Sequence, residues 1–352
     1  MSRYFSKDVA NLEAYVPGEQ PKDRKYIKLN ANESPYPASP KVAEAITRAE
    51  IDGLRLYSDS TCATLTAAIA KRYGVKPAQV IPGNGSDEVL AFAIRAFCSE
   101  DTPLAYADVT YSFYNVWAKL WRVPEKVVPL REDFTLAIDD YIGLGCTTVI
   151  ANPNAPSGLA LPVSEIERLL KADPDHVLIV DEAYVDFGAE SCVPLVDKYP
   201  NLLVVQTCSK SRNLAGARLG FAIGSEELIA DINRIKFCYN PFNVNKLTIL
   251  AGIAAMEDET YFRECTGKIM ATRAWTTNAL RELGFKVGDS MTNFLLAEPG
   301  HMDGKTVCAG LKDRGILIRR FDGARTGKYL RISIGTQEDM EALVAALKEM
   351  GA

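Results

Sequence analysis

Short apolar runs recur through the middle of this chain, interspersed with helical patterns. They lie at 103–106, 126–130, 147–151, 177–181, 202–207 and 219–223, and the later ones, such as VLIVD and LLVVQT, show no alternation of polar and apolar positions. A strand that is apolar on both sides must be covered on both sides. Helical patterns at 112–121, 164–171 and 226–236 supply the covers, and shorter helices are expected at 40–49 and 61–73. The alternation predicts an α/β fold with a mostly parallel central sheet. After about residue 255 the texture changes. A long amphipathic helix at 260–283 is followed by short strands near 285–287, 294–297, 316–318 and 329–334, with helices at 304–313 and 337–348. This is the pattern of a smaller α+β domain. Residues 1–28, with Pro17, Gly18 and Pro21, read as an N-terminal arm. The expected organisation is therefore the arm, a large domain over 29–255 and a small C-terminal domain over 256–352 with which the arm packs.

Composition narrows the chemistry. In 352 residues there are only two histidines, His176 and His301, far apart. A multi-histidine metal site is nearly excluded, no metal is expected, and a serine–histidine or cysteine–histidine mechanism is disfavoured. The eight cysteines are scattered without a CxxC pair and read as reduced core residues. The net charge is −5 with no basic block, which argues against nucleic acid as a partner. No apolar run is long enough for a bilayer, and the first residues lack the apolar core of a signal peptide, so no membrane partner and a cytoplasmic location are expected. Proton transfer must then come from another residue type or from an organic cofactor.

Five segments carry chemistry. In LLVVQTCSKSRNLAGARLG (202–220), Lys210 follows a buried strand between two serines, with Arg218 eight residues on. That suits a lysine that forms an imine beside a bound phosphate; the alternative is a surface loop with two ordinary cations. GNGSDE (83–88) opens a helix with a glycine turn, whose free N–H groups and dipole hold phosphate. It resembles a dinucleotide fingerprint, but Glu88 stands where GxGxxG needs its third glycine. VLIVDEAYVDF (177–187) delivers Asp181 to the carboxyl end of a strand, where open α/β sheets bind ligands, with Tyr184 close by. A metal-binding role for that aspartate would need a GxxxxGK[ST] loop, which the chain lacks. VTYSFYNVW (109–117) offers Tyr111 for stacking on a planar ring or for the core. NPNAPSG (152–158) is a rigid turn at another strand end. In the small domain, GILIRRF and YLRISIG place Arg319, Arg320 and Arg331 on or near strands, where an inward arginine needs an anion: a ligand or a protein carboxylate.

The order of these segments is more specific than any one of them. GNGSDE, VTYSFY, NPNAPSG, VDEAY, SKSRNLAGARLG and LRISIG together resemble the fold-type-I aminotransferases that use pyridoxal 5′-phosphate. YVPGEQP (15–21), LNANESPYP (29–37) and DEAYVDF are similar to the histidinol-phosphate aminotransferase branch. The resemblance implies a large cofactor-binding domain and residue roles within it. Lys210 would bind the cofactor as an imine and, once released, shuttle a proton. Asp181 would face the ring nitrogen and Tyr184 the ring oxygen. Tyr111 would stack on the ring. Ser86, Asp87, Thr207, Ser209 and Arg218 would gather at the phosphate, joined by Tyr57 from a second subunit, which implies a homodimer. Arg331 would bind the carboxylate of glutamate and 2-oxoglutarate, and Arg319 the substrate phosphate, with Tyr15 and Asn32 near the substrate. One departure stands out: Ala155 occupies the place of the asparagine that bonds the ring oxygen in this superfamily, and Asn154 is the candidate to replace it. Ser157 replaces the usual threonine, and YSDS (57–60) lacks the proline that often follows the tyrosine.

The expected reaction is transamination between L-histidinol phosphate and 2-oxoglutarate, a step of histidine biosynthesis. Threonine-phosphate decarboxylation and an aromatic or broad-range aminotransferase are alternatives on the same fold. A cofactor-sensing regulatory module would need a DNA-binding extension, and a nicotinamide-dependent dehydrogenase would need a better phosphate fingerprint.

Overall fold

The computed structural model describes residues 2–7, 12 and 18–351. Among these, twelve strands form two sheets. In chain order they are β1 (Ile27–Leu29), β2 (Val80–Gly83), β3 (Leu104–Ala107), β4 (Glu125–Val128), β5 (Thr147–Ala151), β6 (Leu178–Asp181), β7 (Leu202–Thr207), β8 (Gly220–Gly224), β9 (Lys286–Val287), β10 (Phe294–Glu298), β11 (Ile316–Arg320) and β12 (Leu330–Ser333). The large sheet has the order β2-β8-β7-β6-β5-β3-β4. Its strands from β4 to β7 pair in parallel, whereas β8 is antiparallel to both β7 and β2. The central sheet is thus mostly parallel, as the apolar runs predict.

Alternation along the strands decides what faces what. On β6, Leu178 and Val180 join an apolar cluster with Ile150, Val204 and Ile69. Ile179, between them, joins a separate cluster with Val149, Leu203, Val205 and Leu90. Each buried aliphatic side chain contributes about 1.5–3 kcal/mol, so both faces are firmly held. Side chains alternate with period two, so Asp181 falls on the face of Ile179 and Glu182 on the other. Glu182 is buried there, bonded to the Cys192 N–H, Ser191 and Gln206, and burial pushes its carboxyl up to about 7.

The small sheet has the order β1-β11-β12-β10-β9, with β1 parallel to β11 and the rest antiparallel. Leu295, Ile316, Ile332 and Leu330 form its core with Leu280 and Leu343 of the helices Glu259–Glu282 and Gln337–Met350. The last helix opens on a reciprocal cap between Thr336 and Asp339 and closes on Gly351 in the left-handed region.

Three elements differ from the sequence reading. Residues 27–29, read at the edge of the arm, form β1, because their partner strand lies nearly 290 residues away and no local pattern reveals it. The helix expected over 40–49 is two short ones, Pro40–Ala45 and Arg48–Asp52. Lys246–Glu257 is a helix that no amphipathic period announces. It is buried nearly all round, through Thr248, Ile249, Ala251, Gly252, Ala254, Ala255 and Met256, so polar residues do not mark a face. No helix among the described residues is long and apolar enough to cross a membrane.

Candidate active site

The carboxyl ends of β5, β6 and β7 open into a cavity of about 340 Å³. That is the size of a small-molecule pocket and the usual place for one in an α/β sheet. Its wall includes Ser86, Asp87, Tyr111, Asp181, Tyr184, Thr207, Ser209, Lys210 and Arg218. The sheet explains the convergence: Asp181 and Thr207 are the last residues of adjacent parallel strands, and Lys210 lies just beyond the second.

An anion cradle forms one part of the wall. The helix Ser86–Phe97 begins after Gly85, which carries no side chain to cap the first-turn N–H groups. Those donors and the helix dipole meet the cavity at Ser86 and Asp87. Gly85 has φ 85°, and a Cβ there would stand 2.6 Å from Arg218 Nη2. A Cβ on Gly220 would come within 2.1 Å of the Ser86 nitrogen. Gly220 is therefore required for β8 to approach the turn, where a Cβ would meet backbone, and Gly85 is favoured by its positive φ. Arg218 donates from Nη2 to Asp87 Oδ2 at 3.0 Å, while the Tyr111 hydroxyl donates to Asp87 Oδ1 at 2.7 Å. One carboxylate thus fixes both the cation and the aromatic ring. The Ser209 N–H donates to Thr207 Oγ1 at 3.1 Å, which holds the turn before Lys210.

Asp181 is buried. The Tyr114 hydroxyl donates to its Oδ2 at 2.6 Å and the Ala183 N–H to its Oδ1 at 3.1 Å. Burial pushes its carboxyl up to about 6, although both hydrogen bonds pull the other way. A cation in the cavity would restore the ionised form. Tyr114 is absent from the sequence candidates; its only signal is its position three residues after Tyr111, in the first turn of the helix Phe113–Trp121. Tyr114→Phe should raise the Asp181 pKa further, by about 1 unit, since a hydrogen bond to a charged group is lost. An NMR titration of labelled aspartate carboxyls would check this.

Lys210 is half-buried and donates from Nζ to the Ala31 carbonyl at 3.4 Å, with Nζ 5.8 Å from the Tyr184 ring centre. The other candidates lie elsewhere. Asn154 is buried behind the wall. Its Nδ2 donates to the Val109 carbonyl at 2.9 Å and to Ser157 Oγ at 3.1 Å, and its Oδ1 accepts from Thr110 at 2.7 Å. Both amide hydrogens are spent on these two acceptors, while Pro153 and Ala155 face the cavity. Asn32 reaches the Tyr184 hydroxyl with Nδ2 at 2.9 Å. Arg319 and Arg331 are direct register partners on β11 and β12. Arg331 donates to the Asn30 carbonyl at 3.1 Å and lies over Phe294 and Phe321. Arg320 donates to Asp322. Tyr57 is 84% exposed and stacks on Phe242, with ring centres 4.6 Å apart. Tyr15 lies outside the described residues.

The chain matches the family of class I and II aminotransferases over residues 24–347. It is 50% identical to a histidinol-phosphate aminotransferase of Marinomonas sp. (strain MWYL1), over 99% of this chain and 100% of that one. With the histidinol-phosphate aminotransferase of Clostridium botulinum (strain 657 / Type Ba4) it shares 46% identity over 99% of both. Its fold matches the crystal structure of histidinol-phosphate aminotransferase from Sinorhizobium meliloti in complex with pyridoxal-5′-phosphate, with a TM-score of 0.88 and 24% identity over 100% of this chain and 98% of that one.

Proposed function

Since the chain belongs to the class I and II aminotransferase family, among the histidinol-phosphate aminotransferases, we propose that it transfers the amino group of L-histidinol phosphate to 2-oxoglutarate. The products are imidazole-acetol phosphate and L-glutamate, and the cofactor is pyridoxal phosphate. The observation that carries this reading is the meeting of Lys210, Asp181 and the turn at Gly85–Asp87 in one cavity. The donor set suits the cofactor: uncapped N–H groups and Arg218 for a phosphate, a desolvated carboxylate for a cationic ring nitrogen, and an amine for an aldehyde.

In this reading Ser86 and Asp87 hold the phosphate through backbone N–H groups, with Thr207, Ser209 and Arg218 around it. Tyr111 covers the ring, braced by its bond to Asp87. Asp181 pairs with the ring nitrogen, and that opposite charge brings its pKa down again from about 6. Tyr184 faces the ring oxygen, while Asn154 shapes the loop behind. When bound, the cofactor supplies an electron sink for the substrate carbon that bears the amine. Lys210 would hold the cofactor through its side-chain amine and, when free, would be the base placed to move the proton of that carbon. No histidine is needed.

Arg319 and Arg331 face each other across neighbouring strands. Two guanidinium groups at one register position suit the recognition of an anionic substrate. The substrate phosphate and the carboxylate of 2-oxoglutarate would occupy this place in turn, with Tyr15 and Asn32 nearby. The large domain of this reading spans 29–255 and the small one 256–352, and the setting is cytoplasmic. Amino-donor assays with histidinol phosphate, phenylalanine and threonine phosphate test the substrate. Glutamate formed from histidinol phosphate supports it; turnover of only another donor, or carbon dioxide from threonine phosphate, refutes it.

The working unit in this reading is a homodimer. Tyr57 stacks on Phe242, and both are exposed, as are Leu54 and Leu56 just before Tyr57 in the chain, which suits a second copy. Tyr57 of one copy would reach the phosphate of the other. A mixture of Tyr57→Ala and Lys210→Ala subunits should regain about a quarter of the wild-type activity, because random pairing makes half the dimers hybrid with one intact site each. No recovery after mixing and refolding would argue against the shared site.

A further inference from the structure

Asn32 stops short of the cavity. Its neighbours Ala31 and Glu33 line the wall, while its own side chain ends at the Tyr184 hydroxyl. Its backbone is left-handed, with φ 55°, a conformation that costs energy in any residue but glycine and persists where the surroundings over-determine it. Three bonds do so. The Asn32 N–H donates to Ser333 Oγ at 2.8 Å, its carbonyl accepts from Asn293 Nδ2 at 2.9 Å, and its Oδ1 accepts from Ser333 Oγ at 3.0 Å. Asn32, Asn293 and Ser333 are all at most 2% exposed. Ser333 ends β12 of the small sheet, and Tyr184 follows β6 of the large one. The Asn32 amide is thus a bracket from one sheet to the hydroxyl of the other.

A phenol hydroxyl has one hydrogen to give and can accept at its oxygen. Asn32 Nδ2 donates to that oxygen at 2.9 Å, so the hydrogen of Tyr184 is left to be donated elsewhere. From the 152–158 turn the wall takes Pro153 and Ala155, neither of which carries a side-chain donor, and both amide hydrogens of Asn154 are spent on the Val109 carbonyl and Ser157. We infer that Asn32 is a positioning residue that commits the Tyr184 hydroxyl to donating into the cavity, toward the ring oxygen of the cofactor. This rests on the cofactor reading above. Asn32 then acts through Tyr184, and the small sheet, through Ser333, sets the polarity of a hydrogen bond in the large one.

A donor to the ring oxygen favours its anionic form, and so lowers the pH at which the proton shared with the Lys210 nitrogen is lost. The visible absorbance band of the loaded protein reports that titration independently of turnover. Asn32→Gly removes the amide and keeps the backbone, because glycine takes φ 55° freely. It should raise the midpoint by about 0.5–1 pH unit. Tyr184→Phe should raise it at least as much, and the double variant no further than Tyr184→Phe alone. Ser333→Ala keeps Asn32 but frees its Oδ1, and should move the midpoint in the same direction. An equal shift by Asn32→Gly with and without the Tyr184 hydroxyl overturns the inference, as does an unchanged midpoint in both Asn32→Gly and Ser333→Ala. Wild-type protein that shows no visible band with added pyridoxal phosphate overturns the cofactor reading itself, which keeps the two failures apart.

Discussion

Lys210→Ala should leave a folded protein that still binds pyridoxal phosphate and barely turns over. The groups assigned to the phosphate and the ring, Ser86, Asp87, Arg218, Tyr111 and Asp181, are anchored without Lys210: Asp87 by Tyr111 and Arg218, and Asp181 by Tyr114 and the Ala183 N–H. Among the described residues Lys210 makes a long bond to the Ala31 carbonyl and a 5.8 Å contact with the Tyr184 ring, so little of the cavity depends on it. Loss of a positioned proton-transfer group alone removes about 10²–10⁴-fold of rate, and loss of the covalent anchor adds to that. Mass spectrometry after borohydride reduction gives the direct readout. Wild-type protein should carry a pyridoxyl group on the peptide containing Lys210, and the variant none. An adduct that persists on another lysine, with activity retained, would remove Lys210 from its role.

Asp181→Asn should act on cofactor and fold in opposite directions. The substitution keeps the shape: Oδ1 can still accept from the Ala183 N–H, and the Tyr114 hydroxyl can turn to accept from the new amide. What is lost is a buried negative charge. Removing one partner of a buried ion pair costs about 3–5 kcal/mol, hence about 10²–10⁴-fold in cofactor-dependent activity. In the cofactor-free protein that same charge is a liability. Burial raises the folded-state pKa of Asp181 from the usual carboxylate value to about 6. The folded state therefore binds the proton more tightly than the unfolded one. Stability from this group is full below the unfolded pKa and is lost as pH rises toward about 6. Above that pH, cofactor-free Asp181→Asn should melt no lower than wild type, while the gain in melting temperature on adding cofactor shrinks. Wild-type affinity for the cofactor should also fall as pH drops through about 6. The cofactor phosphate titrates in the same range, so the variant, which keeps only the phosphate contribution, supplies the comparison. Equal pH slopes in the two proteins would falsify the pairing of Asp181 with the ring.

Much of the large sheet was legible because its strands are short and apolar on both faces. β5 and β7 have the bounds read from sequence, and the neighbouring strands differ by a residue or two. The apolar run that predicts β6 also places Asp181 at a strand's carboxyl end. Helix Lys246–Glu257 was not legible for the converse reason: it is buried on almost every side, and a uniformly apolar segment carries no period. β1 was hidden because three residues signal nothing without a partner, and β11 is remote in sequence.

The site divides in the same way. Lys210, Asp181, Tyr184, Arg218 and the turn at 83–88 each sit where local chemistry marks them: a strand end, a glycine turn, a cation among small residues. From residue type and spacing alone follow an α/β sheet, a lysine that suits an imine, a turn that suits a phosphate and the disfavouring of a serine–histidine or cysteine–histidine mechanism. Only the tertiary structure decided that Tyr114 bonds Asp181, that Asn154 spends its amide on the Val109 carbonyl and Ser157, that Asn32 braces Tyr184 from the small sheet, and that Tyr57 stands exposed beside Phe242. The physical reason is the range of the interactions. Strand and turn preferences act over a few residues, whereas each of these contacts depends on which side chain the fold brings up, and the partner of Asn32 lies 152 residues away.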